Sequence, residues 1–183
     1  MKKILWEVRC LDLLPIYRYC KKCGEKTEYA CSGQFRINAQ RKHLDIWLIY
    51  KCRHCETTWN ASVYSRISPQ ALAPELLDGF LSNDSALAER YAMDSRFLRR
   101  SGVEVGIPLY DIAGGDLPDG ETAEVEIRSR YALPVKASAI VREKLGLSQK
   151  EYVRRVSQGR ITGAAGEDLQ RCRLKQGLTL IFS

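Results

Sequence analysis

Cys20-Lys21-Lys22-Cys23-Gly24, answered 28 residues further on by Cys52-Arg53-His54-Cys55, is the stretch on which the fold turns. Each Cys-x-x-Cys turn aims two sulfurs and several backbone N–H groups at one point. Two such turns complete the tetrahedral sphere of a zinc ion, with Zn–S near about 2.3 Å. Four cysteines leave no open coordination position, so the expected site is structural, holding one Zn2+ through Cys20, Cys23, Cys52 and Cys55. Iron fits the same four thiolates. Lys21, Lys22, Lys51 and Arg53 flank the turns and would offset the negative charge of a tetrathiolate site.

Working outward, the residues around these turns suit strands. Residues 43–50, HLDIWLIY, are rich in Ile, Trp, Leu and Tyr, which fit a pleated surface. Residues 57–67, TTWNASVYSRI, place Trp59, Ala61, Val63 and Ser65 on one face. Trp47 and Trp59 are expected in the core. Residues 1–66 thus read as a β-rich zinc ribbon. Pro74 suits a first helical position, and Leu76, Leu77, Phe80 and Leu81 give a short helix over 74–82. Asn83-Asp84-Ser85 caps a second helix, with Leu87, Tyr91 and Leu98 on one face, Phe97 beside them and Gly102 as its stop. Residues 103–131 read as two strands around the turn from Gly114 to Gly120. Residues 67–132 are therefore connecting helices and an acidic β-hairpin.

The last segment, 133–183, begins with a helix carrying Ile140, Val141 and Leu145 and ended by Gly146. Ser148-Gln149-Lys150-Glu151 forms a capping box in which Ser148 accepts from the Glu151 N–H and the Glu151 side chain reaches back. The helix it opens buries Tyr152, Val153 and Val156 and ends at Gly159. A turn and an apolar strand close the chain over 174–182. The expected class is α+β.

Charge is uneven. Residues 1–66 carry 13 Lys and Arg against 6 Asp and Glu, and residues 131–183 carry 10 against 4. Between them, residues 67–130 have 6 Arg and no Lys against 12 acids. Basic ends attract polyanions through counterion release, unless the acidic middle folds back to neutralise them. No apolar run approaches the roughly 18 residues of a membrane span. The apolar start is broken by Glu7 and Arg9, unlike an export signal. Seven cysteines, four of them in Cys-x-x-Cys pairs, fit metal ligation in a reducing cytoplasm.

Residues 136–183 resemble the αL RNA-binding module of a small-subunit ribosomal protein, pseudouridine synthases and tyrosyl-tRNA synthetases. The resemblance rests on Arg142-Glu143-Lys144-Leu145-Gly146-Leu147-Ser148, then Glu151 to Val156, then Gly159-Arg160-Ile161 and Gly177. It departs from the family at Lys136-Ala137-Ser138, at Gln149 and at Thr162-Gly163. It implies RNA, of the rRNA or tRNA class, held by Lys144, Lys150, Arg154, Arg155 and Arg160. The whole chain resembles a bacterial family known as domain of unknown function 1062. That resemblance rests on Tyr19 to Cys23, Leu44 to Cys52, Thr58-Trp59-Asn60 and Pro74-Glu75-Leu76.

The expected function is a non-catalytic zinc-binding protein that binds structured RNA; the alternative is a zinc-ribbon adaptor whose strands pair with a protein partner. No phosphate loop, paired-acid motif or nucleophile motif points to an enzyme. Asp111, Asp116, Asp119 and Glu121 lack the spacing of a calcium loop and read as an exposed acidic turn. Cys10, Cys31 and Cys172 read as small buried hydrophobes. A Cys31–His43 nucleophile pair lacks an orienting third group, and His43 and His54 would ligate only in place of a cysteine.

Overall fold

The computed structural model describes residues 1–118 and 120–183. Asp119, expected in the long turn and among the acids weighed for a cation, lies outside them. The strands in chain order are β1 Lys2–Cys10, β2 Ile16–Cys20, β3 Glu25–Gln40, β4 His43–Cys52, β5 Thr58–Ile67, β6 Glu104–Val105, β7 Tyr110–Gly114, β8 Ala123–Ser129, β9 Ile161–Gly163 and β10 Gly177–Phe182. The α-helices are α1 Pro74–Leu81, α2 Ser85–Ala92, α3 Ser95–Arg100, α4 Ala137–Leu145 and α5 Gln149–Ser157. The class is α+β, as expected.

Two compact units divide these elements: Leu13–Pro108, and a discontinuous unit made of Met1–Asp12 with Leu109–Ser183. The inserted unit holds a sheet in the order β5-β4-β3-β2-β6. Its strands β2 to β5 are consecutive antiparallel neighbours. Their turns therefore alternate between the two ends of the sheet, and both cysteine turns fall at the same end. Ile16, Ile46, Leu48, Tyr50 and Ala61 are fully buried. Phe35 packs edge-on to Phe80 of α1 at 4.9 Å, and Tyr91 of α2 to Phe97 of α3 at 5.4 Å.

The helices of this unit follow their caps. Pro74 opens α1. Asp84 accepts from the Leu87 N–H at 2.7 Å to start α2. The single helix expected from Ser85 to Gly102 is two. Asp94 accepts from the Arg96 and Phe97 N–H groups and starts a new helix, α3. An aspartate oxygen satisfying two first-turn donors restarts the chain where a continuous helix would have needed Asp94 in its interior.

The discontinuous unit has the sheet order β7-β1-β8-β10-β9. Here the structure differs from the three sequence segments. Strand β1 lies not in the cysteine sheet but between β7, antiparallel, and β8, parallel. The expected acidic hairpin does not form, because β1 separates its two strands. Nor do residues 133–183 form a separate small sheet: β10 pairs with β8 as well as with β9. The physical reason is in β1 itself. Ile4, Trp6 and Val8 alternate on one buried face, so the strand needs neighbours that continue that face. Val125 and Ile127 of β8 and Leu178, Leu180 and Phe182 of β10 supply it, and Ile140 and Val141 of α4 and Tyr152 of α5 are buried in the same unit. The Trp6 ring lies 5.8 Å from Phe182, and its indole N–H donates to the Gly115 carbonyl at 2.8 Å. Gly114 is required beside it: at φ 127 any Cβ would collide with the Leu5 carbonyl oxygen. Among the described residues no helix is long and apolar enough to cross a membrane.

Candidate metal centre

The β2–β3 turn brings Cys20 and Cys23 to one end of the inserted sheet, and the β4–β5 turn brings Cys52 and Cys55 to the same end. All four Sγ atoms lie within 4.8 Å of one another. Cys20 Sγ is 3.5 Å from Cys55 Sγ, and Cys23 Sγ is 3.9 Å from Cys52 Sγ. A tetrahedron with metal–sulfur bonds of about 2.3 Å has sulfur–sulfur edges of about 3.8 Å, so these distances fit a shared ion. They are far from a disulfide length of about 2.05 Å, and all seven cysteines are free thiols.

The two turns are built alike. The Gly24 N–H donates to the Cys20 carbonyl, and the Glu56 N–H donates to the Cys52 carbonyl, both at 2.9 Å. Both closing residues are left-handed, Gly24 at φ 74 and Glu56 at φ 60. The Arg53 N–H donates to the Glu28 carbonyl at 3.0 Å, joining the second turn to β3. Cys20 and Cys52 are buried, while Cys23 and Cys55 are half-buried.

Polar groups favour the charged form of two of the sulfurs, Cys20 and Cys52. Thr27 Oγ1 lies 3.2 Å from Cys52 Sγ, and the Cys55 thiol donates to Thr57 Oγ1 at 3.1 Å. A hydrogen bond from the Tyr29 hydroxyl, aided by the Cys23 backbone, holds the Cys20 thiol down at about 6. The Thr27 hydroxyl lowers the Cys52 thiol. Burial, followed by hydrogen bonds from the other three cysteines, pushes Cys23 strongly upward. A divalent cation at the centre would favour the charged form of all four sulfurs. Behind the site, the Arg18 guanidinium sits 5.3 Å from the Tyr29 ring and 4.9 Å from the Trp59 ring. Lys21, Lys22, Lys51 and Arg53 are exposed around it, Arg53 paired with Glu28 at 2.6 Å.

Thr27, Thr57 and Tyr29 escaped the sequence reading. Thr57 stands two places beyond Cys55 and was visible there. Tyr29 was not, because only the cross-strand register places it opposite Cys52. Trp47 and Trp59 are half-buried, not core; the fully buried tryptophan is Trp6. Cys10, Cys31 and Cys172 are also half-buried. Cys31 faces Tyr50, whereas His43 faces Gln40 at the far end of β3 and β4, so the two form no pair. Asp111, Asp116 and Glu121 do not converge: among the described residues the four cysteines alone form a metal-type group.

The five basic residues expected to meet RNA divide. Lys150 is exposed on α5 and Arg160 just beyond it. Arg154 and Arg155 share Glu151, at 2.7 and 2.8 Å. Thus Glu151 does not reach back to close the capping box, although Ser148 does accept from its N–H at 3.1 Å. Lys144 is committed elsewhere. Its Nζ donates to the Gly114 carbonyl at 2.8 Å and lies 3.9 Å from Asp116, with its side chain 15% exposed. It pins the β7 turn and stands outside any open basic face. Of the apolar residues expected to be buried on α5, Tyr152 is buried, while Val153 and Val156 are half-buried.

Fold and site together define an α+β protein with a four-cysteine centre of metal-binding geometry. The family model described as "Protein of unknown function (DUF1062)" matches residues 37–167. That is most of the chain, and the chain belongs to this family. The matched span includes Cys52 and Cys55 and leaves Cys20 and Cys23 outside it. No curated protein and no solved structure matches the chain.

Proposed function

We propose that this is a non-catalytic zinc-binding protein of the cytoplasm, in which one Zn2+ on Cys20, Cys23, Cys52 and Cys55 fastens a zinc ribbon. The convergence of four sulfurs from two turns within 4.8 Å carries the reading. A complete set of sulfur donors leaves no position for water or substrate, which favours a structural over a catalytic ion. Free thiols throughout fit a reducing compartment. Elemental analysis of the purified protein should find one zinc per chain. Recovery of metal-free, fully folded protein, or of iron in zinc's place, would overturn it.

A second reading adds RNA as the partner of α5. Its support is narrower than the sequence promised. Gly146 at φ 62 ends α4 and Ser148 caps α5, the joint expected of an αL module. Lys150, Arg154, Arg155 and Arg160 remain as its basic side chains, with Lys144 withdrawn and Glu151 partly neutralising the arginines. About four neutralised phosphates on a single strand give a log–log salt slope of roughly −3. Binding of a tRNA or rRNA fragment with no such slope would leave the adaptor reading, in which the exposed edge of β5 pairs with a protein strand.

A further inference from the structure

Opposite the cysteine end, the β3–β4 hairpin closes in a two-residue turn, Arg41-Lys42, with Gln40 facing His43. Beside it the pairing of β4 with β5 slips. Leu44 faces Ile67 and Ile46 faces Tyr64, so Ser65 and Arg66 together oppose Asp45. This is a β-bulge, a device that re-aims a side chain out of the ladder. Asp45 holds it, accepting from the Arg66 N–H at 2.8 Å and from the Ser65 hydroxyl at 3.3 Å. Gln40, Arg41, Lys42, His43, Asp45 and Arg66 line an open depression of about 640 Å3.

The backbone there is unusual. Four described non-glycine residues have positive φ, and two of them are Arg41 at φ 56 and Arg66 at φ 51. Glycine would adopt both conformations without strain. An arginine at each of two strained positions beside one depression is an outlier that points to a ligand. Neither arginine side chain, nor that of Lys42 or His43, makes an ion pair among the described residues. The one carboxylate nearby is already engaged by the bulge. Three cations and an imidazole therefore face the depression with their donors unspent, and guanidinium forks match the oxygen geometry of phosphate.

We propose that this hairpin end is a phosphate-binding site, with Arg41, Arg66 and Lys42 as the charged donors and His43 as a further hydrogen-bonding group. The site takes a phosphoryl group, carried either by a small phosphorylated molecule or by a nucleic-acid backbone. It rests on neither the zinc reading nor the α5 reading.

The test titrates inorganic phosphate into the full-length, zinc-loaded protein, with chloride at matched ionic strength as control. Amide resonances of residues 40–45 and 65–67 are followed by NMR. Saturable shifts with phosphate alone are expected. The double variant R41G/R66G suits both left-handed positions, so it should melt at the same temperature or higher while binding phosphate at least tenfold more weakly. K42Q, at an unstrained position, should weaken binding several-fold. R154A/R155A should leave it unchanged. Equal shifts with chloride, or undiminished binding by R41G/R66G and K42Q, would sink the proposal. Uridine 5′-monophosphate and a twelve-residue oligouridylate without terminal phosphate distinguish the sources. Shifts with the nucleotide alone assign a small ligand, and salt-sensitive shifts with the oligomer assign a backbone.

Discussion

The two sheets solve the same problem by opposite means. The inserted sheet takes β2, β3, β4 and β5 in sequence order, so its pairings are local and its turns fall in two groups. One group carries four sulfurs that a metal would tie together. The discontinuous sheet gathers strands from both ends of the chain around β1 and has no metal-type group among its described residues. Its cohesion comes from apolar burial around Trp6. The two units bury cores of similar size, so the comparison teaches that local strand pairing can gather four ligands at one sheet end, whereas a sheet with distant strands relies on a continuous buried face.

The sharpest way to break this contrast is to remove the fastener. Structural zinc contributes about 10–16 kcal/mol of apparent binding energy in small peptides. C23S or C55S, or chelation, should therefore unfold residues 13–108. The amide spectrum of residues 109–183 should persist. Global unfolding by the same change would erase the distinction. In the other sheet, Trp6→Ala removes a fully buried indole and should cost about 3–5 kcal/mol, read by chemical denaturation, with the zinc content unchanged.

Finer effects compare the two cysteine turns. Gly24 and Glu56 occupy equivalent left-handed positions, and a Cβ at Gly24 would meet open space. G24A should then cost about 1–2 kcal/mol through backbone strain alone. E56G should be neutral or stabilising by up to about 1 kcal/mol. A melting temperature that falls with E56G, or that does not fall with G24A, would show that the turns are not equivalent.

The smallest effects lie on α5. R154A/R155A should change stability by less than about 0.5 kcal/mol while weakening any RNA binding and flattening its salt slope. Hydrogen bonds from Arg155 and then Arg154 hold the Glu151 carboxyl below its usual value of 4.5. A lowered folded value means the stabilisation is complete above the unfolded value and is lost as pH falls through the folded one. The wild type should lose slightly more stability than R154A/R155A on acidification below about pH 4.5, measured by denaturant midpoints.

What could be read from the sequence follows the same division. The cysteine turns, the flanking strands and the caps at Pro74, Asp84 and Ser148 are local, and the structure has them. Gly146 ends its helix because a left-handed residue is needed there, which a glycine announces. The place of β1 was not legible. Ile4, Trp6 and Val8 mark a strand with one buried face but do not say which strands complete it, and that choice depends on residues more than a hundred positions away. The split of α2 from α3 turned on Asp94, whose side chain accepts from the Arg96 and Phe97 N–H groups and so opens a new helix. Lys144 looked like its basic neighbours because sequence spacing cannot show a lysine folding back to Gly114.

The central position of β1 also sets a timetable. A ribosome makes this strand before either of its neighbours, β7 and β8, which follow the whole inserted unit. At roughly 5–20 residues per second, Ile4, Trp6 and Val8 wait about 6–24 s for β8, about 120 residues further on, and longer for β10. Meanwhile every strand of the other sheet, β2 to β6, lies within Leu13–Pro108 and is already made. The newborn chain thus holds all the strands of one sheet beside an uncovered apolar strand of the other, and its exposure to misassembly is greatest in the seconds before β8 and β10 emerge.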